Sequence, residues 1–272
     1  MKRYERVNFC GGNEQSLQNF KIHFRWTKDS IKEAAKEKLP MEKRVELSRA
    51  LTSFFLGSLY YHFELPSPPI KAKVFINNAI ETAIAYFYCG KKTKSTIIHW
   101  NQPFYFGTLF SLLKNDRESL KKIAEWVDHT VMNMPNHHPF DILTGGTINY
   151  FSPLFFVFAQ YFRDVPRKNY SKEIESIKNG YRSSTKTLLN IWENIYTQNT
   201  DNFEKQLVQL VNKHIHKISG LKPPLNSEPI NIISLEATWM WNIALRSGME
   251  MPVLPEEIMD RIVTPQSIGL EK

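Results

Sequence analysis

Apolar residues recur at three- and four-residue spacing along most of the chain, the period that sets one face of an α-helix against a core. Leu47, Leu51, Phe54, Phe55 and Leu59 form one stripe, and Ile76, Ile80, Ala83 and Phe87 form another beyond the prolines of 66–69. Leu120, Ile123, Ala124, Val127 and Val131 make a third, and Asn115 with Glu118 three residues on predicts a capped start near Asp116. Ser152 before Pro153 predicts an N-cap with proline at the first helical position, opening the aromatic run 154–162; Gln102 and Pro103 predict a similar start. Ile174, Ile177, Tyr181, Leu188, Trp192 and Ile195 trace one long helix capped by Ser171. Phe203, Leu207, Leu210, His214 and Ile218 trace the next. Residues 230–245 are apolar on most sides, as in the middle of a bundle, with Gly248 placed to end the helix. A short helix over 256–263 and a polar tail follow. Strand-length alternation is confined to 7–10 and 96–100. The pattern predicts an all-α protein of about nine helices, a single-domain bundle or an irregular stack of antiparallel helical hairpins.

Composition narrows this picture only slightly. A 42% hydrophobic share over 272 residues is enough for a sizeable core. The +8 formal charge favours an acidic partner without choosing among nucleic acid, membrane surface and protein. Cys10 and Cys89, the only cysteines, make neither a disulfide framework nor a metal knuckle, which suits a reducing, cytoplasmic setting. Residues 1–19 hold no continuous apolar run, so a secretory leader is not expected. The uncharged stretch 142–162 contains Gly145, Gly146, Asn149, Pro153 and Gln160, which suits a buried helix rather than a membrane span. The longest break, 132–146, with Pro135, His137, His138 and Pro139, is the expected flexible or partner-contacting loop.

Chemistry finds few footholds. His214 and His216 are two apart and point to different faces of a helix, so they cannot grip one ion together. His214 is expected as a core histidine with a polar partner and His216 as a surface residue. His137, His138 and Asp141 lack a companion cysteine pair or carboxylate-rich helix, and no metal or cofactor is expected. Ser119 to Lys122 and Ser183 to Lys186 repeat a serine–lysine spacing used in catalysis, without the companion motifs. Phosphate-cradling glycine loops, zinc-protease helices and nucleophile elbows are absent from the sequence. Glu81 and Glu236 each interrupt an apolar stretch; with a histidine they are the residues a helical-bundle enzyme would use. A structural or partner-facing role is the plainer reading. The lysines of 28–44 alternate with Asp29, Glu33, Glu37, Glu42 and Glu46, so a nucleic-acid module is a weaker alternative than a solvated helix face. Lys91, Lys92 and Lys94 form a second basic knot.

Three stretches together resemble the immunity protein 49 family of bacterial polymorphic toxin systems. They are the junction LLKNDRESL at 112–120, the segment DNFEKQL at 201–207 with its basic continuation to Lys217, and the closing 244–248 with Leu254 and Pro255. The similarity is spread over 45–263, and this chain departs from the family in its Lys/Asn-rich composition and its basic arm. Beyond an N-terminal arm over residues 1–26, which is this chain's own departure, the resemblance implies a helical immunity-like domain over 27–272. It also implies a non-enzymatic, cytoplasmic protein that binds a cognate toxin encoded at an adjacent locus and occludes it, against contact-delivered effectors such as those of type VI secretion. Basic surface suits a toxin of acidic surface. The residues expected at such an interface are Lys91, Lys92, Lys94, Trp100, Phe104 and Tyr105, with His137, His138 and Asp141 from the long loop.

Overall fold

The computed structural model describes Arg3, Leu51, Phe54, Phe55 and residues 57–64, 71–93, 100–132, 152–181, 183–221 and 229–270. Among these there are eleven α-helices and no strand, with eight helices of seven residues or more, so the protein is all-α. The strand candidate 7–10, all of 96–100 but Trp100, all of the loop 132–146 but Met132, and the lysines of 28–44 lie outside the described residues. No described helix is long and apolar enough to cross a membrane.

The described residues fall into two compact units. The middle unit is Asn77–Asn190 with Leu51; the flanking unit joins Ser53–Ile76 to Ile191–Lys272 and includes Arg3. The boundaries fall within α1 (Ala72–Thr93) and α7 (Ser183–Tyr196).

The middle unit continues with α2 (Asn101–Lys114), α3 (Arg117–Ala124), α4 (His129–Met132), α5 (Ser152–Phe162), a 3-10 turn (Arg167–Tyr170) and α6 (Ser171–Gly180). Its hub is α5, which packs against α2, α3, α4, α6 and the 3-10 turn. The uncharged run thus supplies a helix covered on nearly all sides: Leu154 to Gln160 and Phe162 are buried. Burial of this apolar surface stabilises the unit by roughly 25 cal/mol per Å². Phe155 meets Trp100 and Phe104 at centroid distances of 6.0 and 5.4 Å, and His129 lies on Phe156 at 4.4 Å. Gly107 lets α2 approach its neighbours closely: a Cβ there would stand 2.6 Å from Ala83 Cβ and 2.9 Å from Ile123 Cδ1.

The flanking unit contains helical residues 57–62, α8 (Thr200–Ser219), α9 (Pro229–Ile232), α10 (Leu235–Arg246), α11 (Glu256–Met259) and a second 3-10 turn (Gln266–Ile268). Here α8 packs against α9, α10 and α11. Phe203, Leu207, Val211 and Ile218 are buried; Leu210 and His214 are only partly so.

Helix ends correct several expectations. The stripe of 174–195 is two helices, because Tyr181 takes an extended conformation after Gly180. Ser171 does not cap; it is the first residue of α6, and its hydroxyl donates to Lys168 O. The apolar run 230–245 is broken at Ile233–Ser234, where Ser234 caps α10 by accepting from the Ala237 N–H. The capped start at 115–118 shifts by one residue. Asn115 is left-handed (φ 60°) and closes α2, while Asp116 caps α3 by accepting from the Ser119 N–H. Gln198 (φ 56°) and Asn199 repeat the arrangement between α7 and α8. A left-handed residue followed directly by a capping one satisfies the last carbonyls of one helix and the first N–H of the next, leaving no spare loop. Gly248 (φ 78°) ends α10 as expected, with the Met249 N–H returning to Ala244 O. The final helix is shorter than 256–263, and the tail is not wholly polar: Ile268 is fully buried.

Candidate functional site

The densest buried polar arrangement among the described residues lies in the flanking unit, where the irregular segment 260–268 meets α10 and the end of the helical stretch 57–62. The segment has few helical partners for its backbone, so side chains supply them. Asn242 Nδ2 donates to Val263 O (2.8 Å) and to Thr238 O (2.7 Å), and the Val263 N–H donates to Thr238 Oγ1 (3.2 Å). Ser234 N–H donates to Arg261 O (2.9 Å), and Arg261 Nη1 reaches Ile232 O (3.4 Å). Buried backbone groups are rarely left unpaired, and these bonds fix the segment against α10.

His62 is the centre of the second half. It continues the stripe Leu51–Phe55–Leu59 and is fully buried. Its Nε2 stands 3.0 Å from Asp260 O, which can only accept, so Nε2 carries the proton and Nδ1 is an acceptor. Nδ1 faces Ser267 Oγ at 2.9 Å and Arg3 Nη1 at 3.2 Å. Arg3 also donates from Nη1 to His62 O (2.9 Å) and from Nε to Asp260 Oδ1 (3.0 Å), and its backbone N–H donates to Glu64 Oε2 (3.1 Å). Burial, then the Arg3 charge, pushes the His62 pKa down to about 3, against the pull of its bond to Asp260 O.

A serine hydroxyl beside an imidazole suggests a nucleophile and its base. The electrostatics oppose that use. An imidazole held neutral to about pH 3 is a weak base, and the Asp260 carboxylate engages Arg3 instead of the ring. Ser267 Oγ is also tied into Thr264, accepting from its N–H (3.0 Å) and lying 2.9 Å from its carbonyl. The arrangement is built to hold backbone. No local pattern marks Arg3, Asp260 or Ser267, and His62 is marked only as a histidine on an apolar stripe.

The residues singled out from sequence disperse. Trp100 and Phe104 are fully buried and Tyr105 nearly so. They belong to the aromatic cluster of the middle unit, which corrects their reading as a contact surface: the apolar area expected for a partner is spent on Phe155 and its neighbours. Lys91 and Lys92 lie on the last turn of α1, while Lys94, His137, His138 and Asp141 fall outside the described residues. Glu81 is exposed and belongs to the middle unit; Glu236 is half-buried and belongs to the flanking unit. Burial raises the Glu236 pKa, against its own backbone N–H and the Lys217 charge. His214 is mostly enclosed, and burial lowers its pKa to about 4 against hydrogen bonding to the backbone of Asn231 and Ile232. His216 is exposed, as expected. Of the two serine–lysine pairs, Lys122 is engaged by Glu118 (2.5 Å), and Ser183 is an exposed residue at the start of α7. No group of three His, Cys, Asp or Glu able to hold a metal occurs among the described residues.

No protein-family model, no curated protein and no solved structure matches this chain.

Proposed function

We propose that this protein is an immunity protein that neutralises a cognate toxin by stoichiometric binding in the cytoplasm. The observation that carries the reading is the resemblance of 112–120, 201–207 and 244–248 to the immunity protein 49 family. Their place in the fold supports it. The first contains the Asn115–Asp116 junction, the second opens α8 directly after the Gln198–Asn199 junction, and the third holds the Gly248 helix end. Positions that set the angle between successive helices are positions an all-helical family would share.

The basic balance of the chain favours a toxin domain of acidic surface. With the aromatic segment 100–106 withdrawn into the core, the contact rests on charge and on other apolar residues. Co-expression of this chain should rescue cells from the toxin encoded beside it, and the two should co-purify in fixed ratio. Changing Lys91, Lys92 and Lys94 together to Glu should slow association and flatten its salt dependence. Protection at strongly substoichiometric levels, without a complex, would overturn the binding mechanism in favour of enzymatic detoxification.

A further inference from the structure

The outer side of α8 carries charge that the fold does not use. Phe203, Leu207, Val211 and Ile218 bury one side of this helix, and Lys205, Gln209, Asn212, Lys213 and His216, exposed at three- and four-residue spacing, make the other. After Glu204 the helix holds no acidic residue. Exposed cations of α3 and α6 close onto acids of the chain: Lys122 onto Glu118, Arg117 and Lys121 onto Asp164, Lys178 onto Glu175. On α8, neither an ion pair nor a side-chain hydrogen bond engages Lys205, Gln209, Asn212, Lys213 or His216 among the described residues. Lys217 differs, because its charge bears on Glu236. Lys205 and Lys213 stand about 12 Å apart along the helix axis, with the amides of Gln209 and Asn212 between them. This combination suits carboxylates better than a nucleic acid: the face offers ammonium and amide donors, but no arginine fork for phosphate and no aromatic ring on which a base could stack.

We propose that the outer side of α8, centred on Lys205 and Lys213, is the docking surface for an acidic protein face, that of the toxin domain, whose carboxylates meet the two ammonium groups. The assignment rests on the proposed immunity function and replaces the aromatic segment 100–106 as the place of contact. An exposed helix face needs no rearrangement to bind, and its two uncompensated lysines lose no internal partner when a carboxylate arrives.

Lys205→Glu with Lys213→Glu, set against Lys168→Glu with Lys172→Glu at exposed positions of the middle unit, tests the surface at equal net charge. Affinity for the toxin encoded beside this chain should fall about tenfold or more with the first pair and far less with the second. In the wild-type complex the Lys205 and Lys213 amines should be shielded from acetylation, a readout that needs no variant to fold. A complex that leaves both amines reactive, or that weakens equally with either pair, overturns the docking surface and leaves the immunity function standing. If the toxin neither binds nor is neutralised, that function falls, and the surface is decided by a helical peptide with glutamate at every fourth position beside a single-stranded oligonucleotide of equal charge. The peptide should bind the wild type and lose about tenfold in affinity with the first pair only. No binding of the peptide, equal loss with both pairs, or tighter binding of the oligonucleotide to this face overturns the assignment.

Discussion

The two units handle buried polar groups in opposite ways. In the middle unit the buried hydroxyls close onto their own helices: Thr82 donates to Asn78 O, Thr108 to Phe104 O and Ser111 to Gly107 O, each four residues back. Asn101 Nδ2 reaches across to Ser152 Oγ at a long 3.5 Å, and the helices otherwise meet mainly through apolar side chains and one close glycine approach. In the flanking unit the buried polar residues reach across the sequence, from Asn242 to Val263, from Arg261 to Ile232 and from His62 to Asp260. The difference follows from backbone regularity. A helix satisfies its own N–H and C=O groups, whereas the irregular segment 260–268 must borrow partners, and those partners must be buried with it. Packing therefore holds one unit, and directional bonds pin the other.

The largest expected effect breaks the packed side of this contrast. Phe158→Ala, at the centre of α5, should cost about 3–5 kcal/mol in chemical denaturation. A loss under about 1 kcal/mol would mean that α5 is not the hub. Asp260→Ala tests the pinned side. It leaves the Arg3 guanidinium without its carboxylate, and because Arg3 keeps some exposure the cost should lie at the low end for broken buried pairs, about 3 kcal/mol. Arg3→Ala in the same background should add far less than it does alone, since the two residues share one interaction. Independent, additive losses would refute the coupling.

Gly107→Ala should cost about 1–3 kcal/mol, because the new methyl must displace Ala83 or Ile123. It should do so equally at all pH values, and here the units part again. In the flanking unit His62 and His214 have pKa values lowered to about 3 and about 4. Between the unfolded value near 6.5 and those folded values, the unfolded chain binds more protons, so stability falls as pH drops through this window. Asp116 and Asp164 of the middle unit act lower. Burial resists ionisation of Asp116, but the Ser119 N–H and Lys114 hold its carboxyl below the usual range; Lys121 and Arg117 do the same for Asp164. Their stabilisation is lost only as pH falls below about 4. Denaturant midpoints from pH 7 to 5 should decline in the wild type and decline less in His62→Asn. A flat profile would show that neither histidine is held neutral.

The smallest effect belongs to the exposed ion pairs of Asp164, with Lys121 at 2.6 Å and Arg117 at 3.1 Å. Arg117→Ala should change stability by less than about 1 kcal/mol, and salt should erase the difference.

The stripes were legible because helix periodicity is a local property: Leu51, Phe54, Phe55, Leu59, Ile76, Ile80, Ala83 and Phe87 are all buried, as the spacing required. Helix ends were legible only in part. Asn115 and Gln198 adopt left-handed conformations that glycine usually marks, and the residue directly after each, Asp116 and Asn199, is the cap. The aromatic segment 100–106 shows the limit from the other side. Its composition suits an interface and a core equally, and only the placement of Phe155 against Trp100 and Phe104 decides for the core.

Local spacing and turn chemistry therefore determined the class of fold, the helical faces and the glycine that ends α10, since each depends on residues within one or two turns of one another. The Arg3–His62–Asp260–Ser267 junction was decided by tertiary structure alone. Its hydrogen bonds from Arg3 to His62, from His62 to Ser267 and from Arg3 to Asp260 span 59, 205 and 257 positions of the chain, and no local pattern around Arg3 or His62 names the other partners. A hydrogen bond requires atoms within about 3 Å of one another, and only the folded backbone brings such distant residues that close.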